Sequence, residues 1–304
     1  MRRRGTVRTR PPVVVVTGAS SGIGRAVALA FAGHGARVVL GARSAAALEE
    51  VAGQCADAHR AADALAVPTD VTDARAVEAL AAAATARHGR IDVWVNAAGV
   101  GILGRADRTS PEDVRRLFDV NVMGVVHGAR AAVPVMRAQG SGVLVDISSV
   151  LGGVVQAPYM SAYAMSKAAL VTFDDVLRQE LELAGARGVS VCSVLPAGVD
   201  TPFFRHAANG TGRRVQALPP LVRPERVARA VVRAARHRRR RVVVGGSGRL
   251  LTWGYAVAPG LVRTAIGRRT EHHYLSPPGE TPATTGILYA PSGATAAPDG
   301  GRGG

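Results

Sequence analysis

Tyr163 and Lys167 stand four residues apart in Tyr163-Ala164-Met165-Ser166-Lys167, inside a stretch of helical periodicity, so their side chains share one helix face. A phenol with its usual pKa of about 10 is a poor base at neutral pH; a neighbouring ammonium favours the phenolate and moves it toward the working range. Such a tyrosine can give a proton to a carbonyl oxygen or take one from an alcohol. The plain alternative is a surface pair. Lys167, however, is the only lysine among 38 basic residues, so its place at Tyr plus four is a poor candidate for coincidence. A compact three-donor ammonium could also bond a second group, which a planar guanidinium does less well. Ser149, at the end of a β-rich run, would hydrogen-bond the same oxygen, and its neighbour Ser148 competes for that role.

A second constellation is Thr17-Gly18-Ala19-Ser20-Ser21-Gly22-Ile23-Gly24, directly between an apolar run and a helical stretch. Glycines there permit a tight turn and a close backbone approach, and the helix N-terminus offers free N–H groups to a phosphate. The same residues contain Gly18-Ala19-Ser20-Ser21-Gly22, the pattern of a hydrolase nucleophile elbow with Ser20 as nucleophile. Only twelve residues precede the first strand, which leaves that fold's earlier strands nowhere to go. No Gly-Lys-Ser/Thr follows, so a Walker loop fails too. Leu40-Gly41-Ala42-Arg43 ends the second strand about 20 residues later, where a dinucleotide-binding domain meets the adenosine ribose. No acid stands there to take a 2′-hydroxyl, and Arg43 suits a 2′-phosphate, which favours NADP over NAD. Arg43 could equally be a solvated surface residue.

These groups need a scaffold, and the hydrophobic pattern supplies one. Strands are predicted at Val13 to Val16, Arg37 to Gly41, Leu65 to Pro68, Ile91 to Val95, Gly142 to Ile147, Val189 to Leu195 and Arg241 to Val244. Helices are predicted at Ile23 to Ala32, Ser44 to Cys55, Ala74 to His88, Pro111 to Arg137, Ser161 to Ala184 and Pro224 to Arg236. Continuous Val/Ile/Leu runs alternating with helices imply a doubly wound parallel sheet in a three-layer α/β/α domain, a Rossmann fold. The chain divides into a basic arm (1–12), a catalytic, NADP-binding domain (13–248), an apolar and basic segment (249–275), and a Gly/Pro-rich tail (276–304) expected to be flexible. Ile287, Leu288 and Tyr289 could anchor part of that tail.

With these motifs assembled, the chain resembles the short-chain dehydrogenase/reductase family over most of its length from Thr17 to Thr201. The glycine turn is similar to the family's TGxxxGxG, and Tyr163 to Lys167 to its YxxxK. The resemblance implies that Asn121, Ser149, Tyr163 and Lys167 are catalytic, with Asn121 structural and part of a proton relay. It implies that Asp70 contacts the adenine amino group beside Val71, and that Asn96, Ala97 and Gly99 form the motif after the fourth strand. Pro196 and Thr201 resemble the segment that holds the nicotinamide amide. Asn96-Ala97-Ala98-Gly99 replaces the doubled asparagine, the Ser149 to Tyr163 interval is one residue longer than usual, and Ala197 extends the Pro-Gly step. The expected activity is hydride transfer between NADP(H) and a carbonyl or secondary alcohol, by a homo-oligomer acting on a small molecule. The competing readings are a non-catalytic nucleotide-binding regulator and a serine hydrolase using Ser20. Phe203, Phe204 and His206 follow the sixth strand, where they could line a substrate pocket or simply pack a helix.

The net charge of +16 invites a nucleic-acid reading, but its placement argues against one. Residues 13–200 are nearly neutral, with the excess in the N-terminal arm and beyond Thr201. Aromatics are 4% of the chain, too few for a base-stacking platform. Cys55 and Cys192 make no disulfide framework or metal motif, so no metal and a cytoplasmic setting are expected. Leu250 to Val262 is interrupted by Gly254, Pro259 and Gly260, short of the roughly 20 apolar residues a bilayer span needs. Beside the arginine run at 236–241, residues 236–269 could contact an acidic membrane surface; the alternative is a solvated helix end.

Overall fold

The computed structural model describes residues 10–59, 63–215, 219–275 and 281–291, so residues 1–9 of the basic arm and 276–280 and 292–304 of the tail lie outside the description. The elements run β1 (Val13–Thr17), α1 (Gly22–Ala32), β2 (Arg37–Ala42), α2 (Ala45–Ala58), β3 (Asp63–Pro68), α3 (Ala74–His88), β4 (Val93–Asn96) and a short β5 (Ile102–Leu103). Next come α4 (Pro111–Phe118), a π-helical turn (Asp119–Met123), α5 (Gly124–Ala138), β6 (Gly142–Ile147), α6 (Val150–Gly153), α7 (Ser161–Leu183) and β7 (Val189–Pro196). The last are α8 (Phe203–His206), β8 (Ala208–Asn209), α9 (Pro224–His237), β9 (Arg241–Val244), α10 (Gly246–Val257), α11 (Pro259–Arg269) and a second π turn (Thr270–Tyr274).

Seven parallel strands form one sheet in the order β3-β2-β1-β4-β6-β7-β9. Successive residues of a strand face opposite sides. Val14 and Val16 therefore join Val27 of α1, Val51 of α2 and Val231 of α9 on one face. Val15 meets Leu80 of α3, Ala132 of α5 and Leu181 of α7 on the other. Burial on both faces is why β1 reads as four consecutive valines. This is the doubly wound, three-layer Rossmann fold that the alternating pattern predicts.

Strand order reverses between β1 and β4, whose ends pair Thr17 with Asn96. The crevice at such a switch point is where this architecture binds ligands. The single helix expected over Pro111 to Arg137 is instead α4 and α5 joined by the π turn, which inserts Asn121. Period analysis registers only the apolar stripe and misses a one-turn widening, a feature that recurs at functional sites. Beyond β9, α10 runs across residue 248, and together with α11 it makes a helical hairpin. In the tail, Leu288 is buried in the face formed by α3, α5 and α7, and the Tyr289 hydroxyl donates to Asp113 at 2.7 Å.

Candidate active site

The glycine turn closes β1 against the segment after β4. The Thr17 hydroxyl accepts the amides of Ala97 and Ala98 at 3.2 and 3.4 Å. Gly18 has φ +67°, and a Cβ there would lie 2.6 Å from the Ala98 nitrogen. A Cβ on Gly24 would lie 2.1 Å from the Gly18 carbonyl oxygen. Ser21 precedes α1 without a side-chain cap, so the first amides of that helix remain available to an anion. Around this turn lies a cleft of about 450 Å³ lined by Gly18, Ser20, Ser21, Gly22, Ile23, Gly24, Arg43, Asp70, Val71, Ala97, Gly99 and Thr201, among others.

At one end of the cleft Arg43 donates through Nη2 to the Ile287 carbonyl at 2.9 Å, while its Nη1 is buried without a hydrogen-bond partner. Asp70 accepts both the amide and the hydroxyl of Thr72, at 3.0 and 2.9 Å. Burial alone would raise the Asp70 carboxyl; the Thr72 hydrogen bonds and the charges of Arg116 and Arg43 more than offset it and leave its pKa lowered. Arg116 is a residue that sequence reasoning missed: its guanidinium lies 3.5 Å from Asp70 and donates to Thr72 and to the Leu288 carbonyl, both at 3.1 Å. Nothing in its local sequence marks it, because its partners are 44 and 172 residues away.

The four candidate catalytic residues sit behind the cleft. They are joined to it at Gly99, where a Cβ would stand 3.4 Å from Asn121 Oδ1 and 3.6 Å from Lys167 Nζ. The π turn fixes Asn121: its Oδ1 accepts the Val100 amide at 2.8 Å, and its Nδ2 donates to the Val100 carbonyl and the Ser166 hydroxyl, both at 3.0 Å. Lys167 is buried and donates to the Ile147 carbonyl at 2.9 Å, with Nζ 5.6 Å from the Tyr163 ring centroid. Ser149 lies close enough to the Tyr163 hydroxyl to favour its ionised form, and its own hydroxyl accepts the Leu151 amide at 3.0 Å. Ser148 points elsewhere, donating to the Lys167 carbonyl at 2.8 Å. Phe203 covers Tyr163, ring centroids 5.2 Å apart, and lines the cleft with His206; Phe204 packs edge-on to Phe203.

Two predicted residues stand apart from the cleft lining. Asn96 does not line the cleft: its amide accepts the Trp94 indole N–H at 2.7 Å and donates to Asp146 at 2.8 Å, bracing the strand ends from inside. Pro196 likewise ends β7 in the core. Desolvation pushes the Tyr163 phenol up to about 12, against the influence of Ser149. Lys167 points its ammonium at a carbonyl, and burial pushes it down to about 8 against the pull of Asp146. At neutral pH the Tyr163 side chain is therefore a neutral phenol.

Beneath Lys167 lies a buried carboxyl pair. Asp146 is raised well above the usual range by burial and by the adjacent charge of Asp174, and burial raises Asp174 as well. Their oxygens Asp146 Oδ2 and Asp174 Oδ1 have no other partner, so a shared proton satisfies both. A carboxyl whose pKa is raised on folding gives the native state an extra proton. That stability is complete below about pH 4 and is lost as the pH rises through the native value. Asp174→Asn supplies a permanent donor and takes away the neighbouring charge; every tenfold change in proton affinity that this relieves is worth about 1.4 kcal/mol. The expected result is a Tm higher by about 2 °C or more at pH 8 and a flatter Tm between about pH 5 and 8. Calorimetry at several pH values checks this; identical profiles would contradict a shared proton.

A parallel sheet with a glycine-cradled cleft at its switch point, backed by a Ser-Tyr-Lys set, defines a nucleotide-binding oxidoreductase. A family model described as short chain dehydrogenase matches residues 12–211, and the chain belongs to that family. It is 33% identical over 287 residues to the uncharacterized oxidoreductase YxnA of Bacillus subtilis, covering 93% of this chain and 79% of that one. Among solved structures it is similar to a short chain dehydrogenase/reductase from Burkholderia phymatum in complex with NAD. That match has a TM-score of 0.73 and 29% identity and covers 83% of this chain and 95% of the other. An alcohol dehydrogenase from Thermococcus sibiricus complexed with 5-hydroxy-NADP aligns with TM-score 0.66 and 27% identity, over 76% and 95% of the two chains.

Proposed function

We propose that this oxidoreductase is an NADP(H)-dependent carbonyl reductase or alcohol dehydrogenase in which Tyr163 is the proton donor and acceptor. The observation that carries this reading is the half-buried Tyr163 beside Lys167 and under Phe203, directly behind the glycine cleft. The cleft fits the cofactor: the turn has no room for a Cβ at Gly18 or Gly24, the α1 amides are uncapped, and Arg43 Nη1 is a buried donor in want of an acceptor. The α1 N-terminus and residues Gly18 to Gly24 would hold the pyrophosphate, and Arg43 the 2′-phosphate. Asp70 and Val71 would hold the adenine, Ala97 and Gly99 the middle, and Thr201 the nicotinamide end.

When bound, the cofactor supplies the hydride to a carbonyl carbon or takes it from a carbinol carbon. Ser149 holds the substrate oxygen, and Tyr163 gives that oxygen its proton in reduction or removes it in oxidation. Lys167 would bond the nicotinamide ribose and keep a cation beside the phenol. Asn121 locks the Val100 backbone and Ser166 so that this set keeps its geometry. Phe203 over Tyr163 keeps water from the phenol and favours an apolar substrate face. We assign the working protein to the cytoplasm as a homo-oligomer. Free, buried Cys55 and Cys192 suit the former, and exposed apolar side chains such as Met123, Met165 and Leu183 suit the latter.

Arg43 tests the cofactor assignment. A charge-assisted contact with a phosphate is worth about 1.5–3 kcal/mol. Arg43→Ala should therefore lower kcat/KM for NADPH about 10- to 100-fold while changing that for NADH about twofold or less. The measurement is loss of reduced-nicotinamide absorbance with each cofactor across ketones, quinones, 3-oxoacyl thioesters and steroids. An equal fall for both cofactors would overturn the NADP preference, and no oxidation of either would overturn the activity.

A further inference from the structure

The hairpin of α10 and α11 has one face built into the protein. Leu251, Tyr255, Val262 and Ile266 pack on Val150, Val155, Val171 and Leu195. The Tyr255 hydroxyl donates to Gln156 at 3.0 Å, and Arg269 fixes the far end by donating to the Pro219 carbonyl at 2.6 Å. The opposite face is apolar and faces solvent: Leu250, Trp253, Val257 and Leu261 are 74%, 77%, 74% and 75% exposed. Leu250, Trp253 and Val257 follow helical spacing, so they form one stripe on α10, and Leu261 is exposed in the first turn of α11. Four large exposed apolar side chains on a well-anchored hairpin call for a partner.

Charge selects the partner. Residues 236–269 contain nine arginines and no acid, and Arg249, Arg263 and Arg268 are exposed on the hairpin itself. A second copy using the same face in a two-fold interface would set arginine against arginine. An anionic lipid surface complements both features: lipid phosphates and acidic headgroups take the guanidiniums, and the acyl boundary takes the leucines, the valine and the tryptophan, a residue favoured at that depth. Among the described residues no helix is long and apolar enough to cross a membrane. We propose that the α10–α11 hairpin is a peripheral docking surface for an anionic phospholipid bilayer, with Leu250, Trp253, Val257 and Leu261 inserted and the arginines at the headgroups.

The protein carries its own reporter, because Trp94 is fully buried and Trp253 is the other tryptophan. The full chain is mixed with phosphatidylcholine vesicles with or without phosphatidylglycerol, and sedimentation and tryptophan emission are read together. Binding at least about tenfold tighter to the anionic vesicles, weakened by salt, with a blue shift that Trp253→Phe abolishes, is the expected result. The Val257→Asp/Leu261→Asp variant should lose about tenfold or more of that partition while keeping wild-type circular dichroism and Tm. If the pair of aspartates perturbs folding, Arg249→Gln/Arg263→Gln/Arg268→Gln must show the same loss. Equal partition of wild type and variants onto acidic vesicles overturns the proposal. So does a blue shift that follows protein concentration without vesicles and accompanies a doubled mass, which would make a second copy the partner. The vesicle readout requires no turnover and stands apart from the proposed activity.

Discussion

Tyr163→Phe is expected to lower kcat for carbonyl reduction about 10²- to 10⁴-fold while leaving NADPH affinity within about twofold of wild type. The substitution removes only the phenolic oxygen. The ring keeps its contact with Phe203, and Lys167 keeps its bond to the Ile147 carbonyl, so the floor of the site is preserved. What is lost is the phenolic O–H beside Ser149, which desolvation keeps protonated well above neutral pH. Single-turnover kinetics with NADPH fluorescence separates the two effects, since binding persists while transfer stops. A variant that turns over at the wild-type rate would remove Tyr163 from the chemistry.

The second large effect is steric and falls on Gly24. Its helical backbone would accept alanine, yet an added Cβ would lie 2.1 Å from the Gly18 oxygen and 2.7 Å from the Gly18 carbonyl carbon, both backbone atoms. Gly18 cannot retreat, because it is itself pressed against Ala97 and Ala98. Gly24→Ala must push α1 away from the turn, at a cost of about 1–3 kcal/mol in stability and about tenfold or more in NADPH affinity. Gly53→Ala is the matched control: it is also helical, with nothing within 4 Å of the added Cβ, and should gain up to about 1 kcal/mol. Isothermal titration and thermal melts on the pair check both. NADPH binding undiminished in Gly24→Ala would mean that the turn is not the cofactor cradle.

The sheet was legible because parallel strands buried on both faces leave uninterrupted valine runs, and the order of the glycine turn, Ser149 and Tyr163 along the chain places them at one edge. Three features were not. The π turn that carries Asn121 is one, because hydrophobic periodicity does not register it. Arg116 reaches the Asp70 corner from α4 through contacts distant in sequence. The Tyr163 phenol moves up in pKa where the spacing suggests down, because spacing tells which side chains share a helix face but not where an ammonium points or how much water surrounds a phenol. The tail was legible in part: its composition reads as unstructured, yet Leu288 finds a buried seat and the Ile287 and Leu288 carbonyls meet Arg43 and Arg116.

Transfer of deuterium is the most direct measure of the proposed reaction. The enzyme is incubated with the same panel of carbonyl compounds and NADPH carrying deuterium at the transferable nicotinamide position, and the products are read by mass spectrometry. The expected product is an alcohol with one deuterium on the carbinol carbon, formed by the wild type and absent with Tyr163→Phe. NADPH bound by the protein with no deuterium delivered to any carbonyl carbon would contradict a hydride-transferring enzyme and favour a nucleotide-binding regulator.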